Sequence, residues 1–300
     1  MYTQQDAWGT LIAAYLFLGG VGGATAAIGL TVDQYVKPNR RMGVAAGLSS
    51  LVLLSVGSIL LLVDLLQPLN TIYFFGNPHS WIFWGIVFIL GMILFDVLYL
   101  LPHLEGWPLV GRLARDQGCL RRWQRITAAV GAACGFAVTL YTGFLLSAAP
   151  GIPFWNSPLL PVLFTVSAFS TGLGYLMVVM GLSGNVGRVM VWLGQIDAGT
   201  ILLELIALLA FLAASAFGGR PEAAHSVRYL LGSPAFVVGF LLVGLILPLA
   251  IEGYTMAKGR RGEGSAGMVG LGVLSGLLVL VGGFLLRQYV LLAGFYVKVW

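Results

Sequence analysis

Residues 80–101 read SWIFWGIVFILGMILFDVLYLL, and Asp96 is the only charged side chain among them. A helix rises 1.5 Å per residue, so about twenty apolar residues cross the ~30 Å hydrocarbon core of a bilayer. The stretch shows no polar face, which the surface helix of a soluble domain would need. Its solvent is therefore lipid. The remainder of the chain has the same character, because 59% of its 300 residues are hydrophobic and only 9% are charged, against roughly 25% charged in an ordinary soluble domain.

Apolar runs bounded by charge, Pro or Gly predict helix 1 from about Trp8 to Tyr35, helix 2 from Met42 to Leu65, helix 3 from Ser80 to Leu101 and helix 4 from Trp123 to Ser147. Helix 5 is expected from Pro158 to Leu182, helix 6 from Asp197 to Phe217, helix 7 from Ser233 to Thr255 and helix 8 from Ser265 to Arg287. The predicted fold class is an all-α integral membrane protein with eight transmembrane helices and no room for a separate globular domain. Asp6 precedes the first run and no Lys or Arg does. That run lacks the positive n-region of a cleaved signal peptide and reads as a retained helix.

The sixteen Lys and Arg are unevenly divided between the loops. Twelve lie in the 1–2 loop (Lys37, Arg40, Arg41), the 3–4 region (Arg112, Arg115, Arg121, Arg122, Arg125), the 5–6 loop (Arg188) and the 7–8 loop (Lys258, Arg260, Arg261). Arg220, Arg228, Arg287 and Lys298 fall on the other side. The positive-inside rule then predicts that both termini and the 2–3, 4–5 and 6–7 loops face outward. The net charge of +5 is explained by this topology, so no nucleic-acid partner is invoked. Cys119 and Cys134 are too few for a disulfide framework or a four-thiolate cluster. Gly19, Gly20, Gly22 and Gly23 lie in helix 1 with no strand before them, which reads as close helix packing rather than a phosphate loop.

Ionisable groups inside a bilayer are costly and mark functional hypotheses. His79, His103 and His225 are the only histidines, all at helix ends or in loops. No paired mid-membrane histidines exist to hold a b-type haem, and no metal-binding motif is present. At the expected outer level stand Tyr15, Asp64, His79, Tyr141, Trp155 and Asn156. Such donors and acceptors beside apolar surface suit a quinone head group, with Asp64 placed to take a proton. The bland alternative is that Asp64 caps a helix and the tyrosines form an interfacial belt. Deeper lie Asp33, Asp96, Asp197, Glu204 and Glu252. Asp197 and Glu204, seven apart, share a helix face about 10 Å apart along the axis. These carboxylates are structural pairs or stations on a proton route, for which Asp96, Asp197, Glu204 and Glu252 are the candidates.

Several motifs together resemble the NrfD family, also called the polysulfide reductase membrane subunit family. They are YLFLGGVGG at 15–23, DLLQP at 64–68 followed by Ser80-Trp81, YTG at 141–143, PFWN at 153–156 with Leu160-Pro161, and LGQID at 193–197 with Leu203-Glu204-Leu205. The resemblance implies two four-helix bundles, residues 1–150 with the quinone pocket and residues 151–300. It implies a haem-free subunit that oxidises menaquinol or another quinol near the outer face of a bacterial or archaeal cytoplasmic membrane. Electrons would pass to an iron–sulfur subunit that commonly serves a molybdopterin enzyme. Tyr141 matches the family's pocket tyrosine and Asp64 the acid closing helix 2, with Gly143, Tyr15, His79, Trp155 and Asn156 shaping the pocket. Some members carry a histidine on helix 1, where this sequence has Ala14 and Tyr15. The rival readings are a secondary transporter or proton channel built on the intramembrane carboxylates, for which Pro248 is the one midplane break, and a plain membrane anchor for a peripheral enzyme.

Overall fold

The structure is a computed structural model and describes residues 2–64, 79–103, 117–184, 188–260 and 266–297. Arg112, Arg115, Arg261, Lys298 and the Leu65–Pro68 part of the second motif lie outside the described residues. Among the described residues eight helices are long and apolar enough to cross a membrane. They are α1 (Thr10–Thr31, prolonged by a π-helical turn Val32–Val36), α2 (Arg40–Asp64), α3 (Trp81–Leu100), α4 (Gln117–Ser147), α5 (Leu159–Leu182) and α6 (Arg188–Phe217). A short helix α7 (Pro221–Gly232) follows. The seventh span begins as a π-helical segment (Ala235–Ile246) and continues as α8 (Leu247–Arg260), and α9 (Ala266–Leu292) is the eighth.

Two boundaries differ from expectation in a way that matters. Helix α6 begins at Arg188 rather than Asp197, since Gly194 and Gln195 do not end a helix where the backbone must bond to itself. Asp197 is thus well inside the span. Helix α9 runs to Leu292, so Arg287 is fully buried and is not an end-of-helix charge. The amphipathic helix α7 lies in the 6–7 connection, where hydropathy predicts only a loop.

Spans α1 to α4 pack in a ring, as do α5, α6, α8 and α9, and α1 joins the two groups through α5 and α9. Small residues set the spacing at these crossings. A Cβ on Gly23 would stand 2.6 Å from the carbonyl oxygen of Gly135, and one on Gly282 would stand 2.5 Å from Cα of Gly244. Backbones therefore touch directly at α1–α4 and at the π segment against α9. Close approach replaces the hydrophobic driving force that helices lack in lipid. The outer surface is correspondingly apolar: Leu48, Val52, Val56, Ile59 and Val63 form an exposed stripe on α2, opposite buried Ala46, Ser50 and Leu54.

The chain ends lie together. Strand β1 (Tyr2–Gln4) pairs antiparallel with β2 (Phe295–Val297). His225 of α7 sits against both, with ring centroids 4.8 Å from Tyr2 and 4.6 Å from Phe295. The 4–5 loop reaches the same end through Trp155, whose indole N–H donates to the Val290 carbonyl at 2.8 Å. Both termini and the 4–5 and 6–7 connections thus share one end of the molecule.

Candidate functional site

The first bundle brings two phenols together in a buried position. Tyr15, in the second turn of α1, donates its hydroxyl to that of Tyr141 on α4 at 3.4 Å. Both side chains are buried, at 2% and 3% exposure. The Tyr141 ring lies over α3 where Gly85 has no side chain, because a Cβ there would overlap the ring. At 3.4 Å the bond is long against the usual 2.7–2.8 Å for O–H···O. A hydroxyl has one proton, so Tyr141, accepting from Tyr15, keeps its own for another acceptor. This pair is the centre of the candidate site.

The other expected pocket residues are distributed around that pair at the same end. Gly143 lets α4 press onto Pro161 of α5. Trp155 is buried against Gly294 and gives its side-chain donor to Val290. Asn156 is turned outward: its side-chain amide donates to the Ser147 carbonyl at 2.9 Å, and Arg220 reaches its backbone carbonyl. His79 is exposed just before Ser80, whose hydroxyl caps α3 at Ile82 N. Asp64 is half-buried in the last turn of α2. Gly57 of that helix lies against Leu18 and the Tyr15 carbonyl, so Asp64, seven residues on, stands about 10 Å nearer the end. The phenols are in contact, while Asp64 is displaced toward the surface.

The second bundle holds a ladder of buried polar groups. Arg287, with no exposed surface, donates to Ser167 Oγ at 3.0 Å and to the Gly283 carbonyl at 2.8 Å, and its guanidinium lies 5.4 Å from the Phe164 ring and 5.8 Å from the Phe17 ring. Ser167 in turn hydrogen-bonds Glu204. One positive and one negative group are thereby bridged across α9, α5 and α6. Two turns earlier on α6, Asp197 accepts from Ser170 at 2.9 Å, and Glu252 of α8 accepts from Ser275 of α9 at 2.8 Å. Asp197 and Glu252 face each other.

Two more carboxylates are tied into the first bundle. Asp96 of α3 accepts from Ser50 of α2. Asp33 accepts from the Tyr99 hydroxyl at 2.5 Å and from the backbone N–H of Asn39 at 2.9 Å, which fixes the turn from α1 to α2. Beside it a polar recess of about 610 Å³ is lined by Arg40, His103, Arg121 and Arg125.

A profile described as "Polysulphide reductase, NrfD" matches residues 2–299. The chain belongs to the NrfD family. It is 30% identical to the C subunit of polysulfide reductase from Wolinella succinogenes, over 96% of this chain and 94% of that one. It is 25% identical to "Protein NrfD homolog" of Haemophilus influenzae, over 98% and 96%, and 26% identical to "Protein NrfD" of Escherichia coli, over 96% and 94%. The resemblance read from the scattered motifs is borne out over essentially the full length.

For this NrfD-family protein, the motif residues and the buried polar groups overlap only in part. Asp197 and Glu204 lie in motifs, whereas Arg287, Ser167, Ser170 and Ser275 do not stand out in the sequence. Serines are common in membrane helices and give no periodic signal. Arg287 could have been found from the apolar Tyr289-Val-Leu-Leu292 that follows it, which prolongs the span and places the charge inside it. Among the described residues no group of three or more His, Cys, Asp or Glu could hold a metal ion.

Proposed function

We propose that this protein is the quinol-oxidising membrane subunit of a respiratory oxidoreductase, embedded in the bacterial cytoplasmic membrane. The observation that carries the reading is the buried Tyr15–Tyr141 pair, at the end of the bundle that also holds both chain ends. Tyr141 donates its remaining proton to one oxygen of the quinone ring, and Tyr15 holds the Tyr141 hydroxyl in place. Gly85 and Gly143 let the α3, α4 and α5 backbones close around that ring. Asp64, nearer the aqueous boundary, takes a proton as the quinol is oxidised and passes it to water. The end carrying both termini is the outer one, following the Lys and Arg distribution. The Wolinella relative is by name one lettered component of polysulfide reductase, which supports a multi-subunit assembly. An iron–sulfur partner, itself serving a molybdopterin subunit, docks at the outer end and takes the electrons. Asp96, Asp197, Glu204 and Glu252 serve a proton route through the interior. The seventh span stays helical across Pro248, passing from the π-helical segment that ends at Ile246 into α8 from Leu247, rather than unwinding into two half-helices, which favours this reading over a transporter with a discontinuous helix.

The test is quinol-dependent reduction of the partner's clusters in the purified complex. Asp64→Asn keeps the shape but cannot accept a proton at neutral pH, and loss of a general base costs typically a hundredfold or more. Turnover with quinol should collapse while an artificial donor still reduces the clusters. A parent rate with quinol in Asp64→Asn and in Tyr141→Phe would place the pocket elsewhere.

A further inference from the structure

Glu204 and the Asp197–Glu252 pair are both buried in the second bundle, yet their charges are balanced differently. Glu204 is linked through Ser167 to Arg287, so a positive group stands near its negative one. Asp197 has 0% and Glu252 2% of its surface exposed. The charged groups facing Asp197 are Glu252 from α8 and Glu204 from its own helix, both acidic. The neighbours from α5 and α9 are Ser170 and Ser275, each donating its hydroxyl to one carboxyl oxygen. The second oxygens, Oδ2 of Asp197 and Oε2 of Glu252, are buried and have no hydrogen-bond partner. The Glu252 side chain reaches α6 itself, since its Cγ lies 3.9 Å from where a Cβ on Gly194 would stand.

Two ionised carboxylates in this position would be two acceptors facing each other without a donor between them. Each unpaired buried charge is costly, and like charges at close range cannot both persist in a low-dielectric interior. Asp197 and Glu252 are two acids that face each other here, and among the described residues no group of three or more His, Cys, Asp or Glu could hold a metal ion. A single proton on one of the orphan oxygens supplies a donor for the other and leaves one negative charge, stabilised by a serine on each partner.

We propose that Asp197 and Glu252 form a carboxyl pair that holds one shared proton and serves as a proton-storing station between Glu204 and the aqueous phase at the Arg260 end of α8. The station rests on the reading of this bundle as a proton route. With one proton on two carboxyl groups it can accept a second from one direction and release one in the other.

The test is isotope-edited infrared spectroscopy of the resting protein in lipid nanodiscs at neutral pH, with Asp and Glu carboxyls labelled. Removing either acid, in Asp197→Asn or Glu252→Gln, deletes one ionised carboxylate and leaves the count of protonated carboxyls unchanged, because the survivor keeps the proton. The double variant then loses one protonated carboxyl as well. Loss of two carboxylates in the double variant, or of two protonated carboxyls, overturns the proposal. So does a shift of the bands when Na⁺ replaces choline at constant pH. Ser170→Ala and Ser275→Ala retain both acids and supply a second reading, a shifted carboxylate band with an unchanged protonated count; unaltered bands in both count against the pair. The measurement needs no turnover, so it stands apart from the outcome of the quinol assay.

Discussion

Tyr141 has one proton to give and one bond already received, so its contribution to a bound quinone is a single hydrogen bond. Tyr141→Phe deletes it, worth about 0.5–1.5 kcal/mol, which corresponds to roughly a two- to tenfold weaker apparent quinol affinity. Gly85→Ala keeps both hydroxyls but puts a methyl group where the Tyr141 ring lies. Steady-state kinetics on the assembled complex should therefore show a larger loss in Gly85→Ala than in Tyr141→Phe; equal, parent-like kinetics would detach the ring position from binding. Glu204 behaves differently. Glu204→Gln leaves Arg287 buried without the negative charge linked to it through Ser167; breaking a direct buried ion pair costs about 3–5 kcal/mol, and this bridged arrangement should lose less than that. Thermal unfolding in detergent should fall in the single variant and recover in Glu204→Gln combined with Arg287→Met. Additive losses would show that the two side chains do not act on each other. Motifs and depth single out Tyr141, Asp64 and Glu204 in the sequence; the structure finds Tyr141 and Glu204 buried and Asp64 half-buried at the end of α2. Arg287 was not legible there, because a charge near the end of an apolar run reads as a loop residue until the helix is seen to continue.

At the scale of elements, hydropathy located every span, since the bilayer forces each apolar run into a helix with all its backbone bonds internal. It could not show which faces meet. The Gly244–Gly282 crossing pairs two residues far apart in the chain, with backbone against backbone. Gly282→Val overfills it, and overpacking costs typically 1–3 kcal/mol. The variant should melt several degrees lower in detergent, while Val at Gly270, where a Cβ meets nothing within 4 Å, should leave the melting point unchanged. Helix α7 escaped prediction for a related reason. Its Pro221 start and buried Ala223, Ser226, Val227 and Leu230 alternate with polar positions, a pattern that carries no membrane signal and emerges only when the strand ribbon is there to cover it.

For the molecule as a whole, reporter fusions give the plainest check of orientation. Fusions following Trp300 and near Gly151 should report the outer compartment, and one near Gly262 the cytoplasm. An inverted pattern would move the Tyr15–Tyr141 pair to the other face of the membrane and undo the placement of the partner. The burial of α1 has a separate consequence for how such a protein is made. It leaves the ribosome ahead of the other seven spans, yet its Gly172–Ala24 contact belongs to α5, which begins only at Leu159. At 5–20 residues per second that interval is roughly six to twenty-six seconds. For that time the glycine-rich face must be sheltered by lipid, by the early neighbours α2 and α4, or by the insertion machinery, so the newborn protein passes through a stage in which its eventual centre is still its edge.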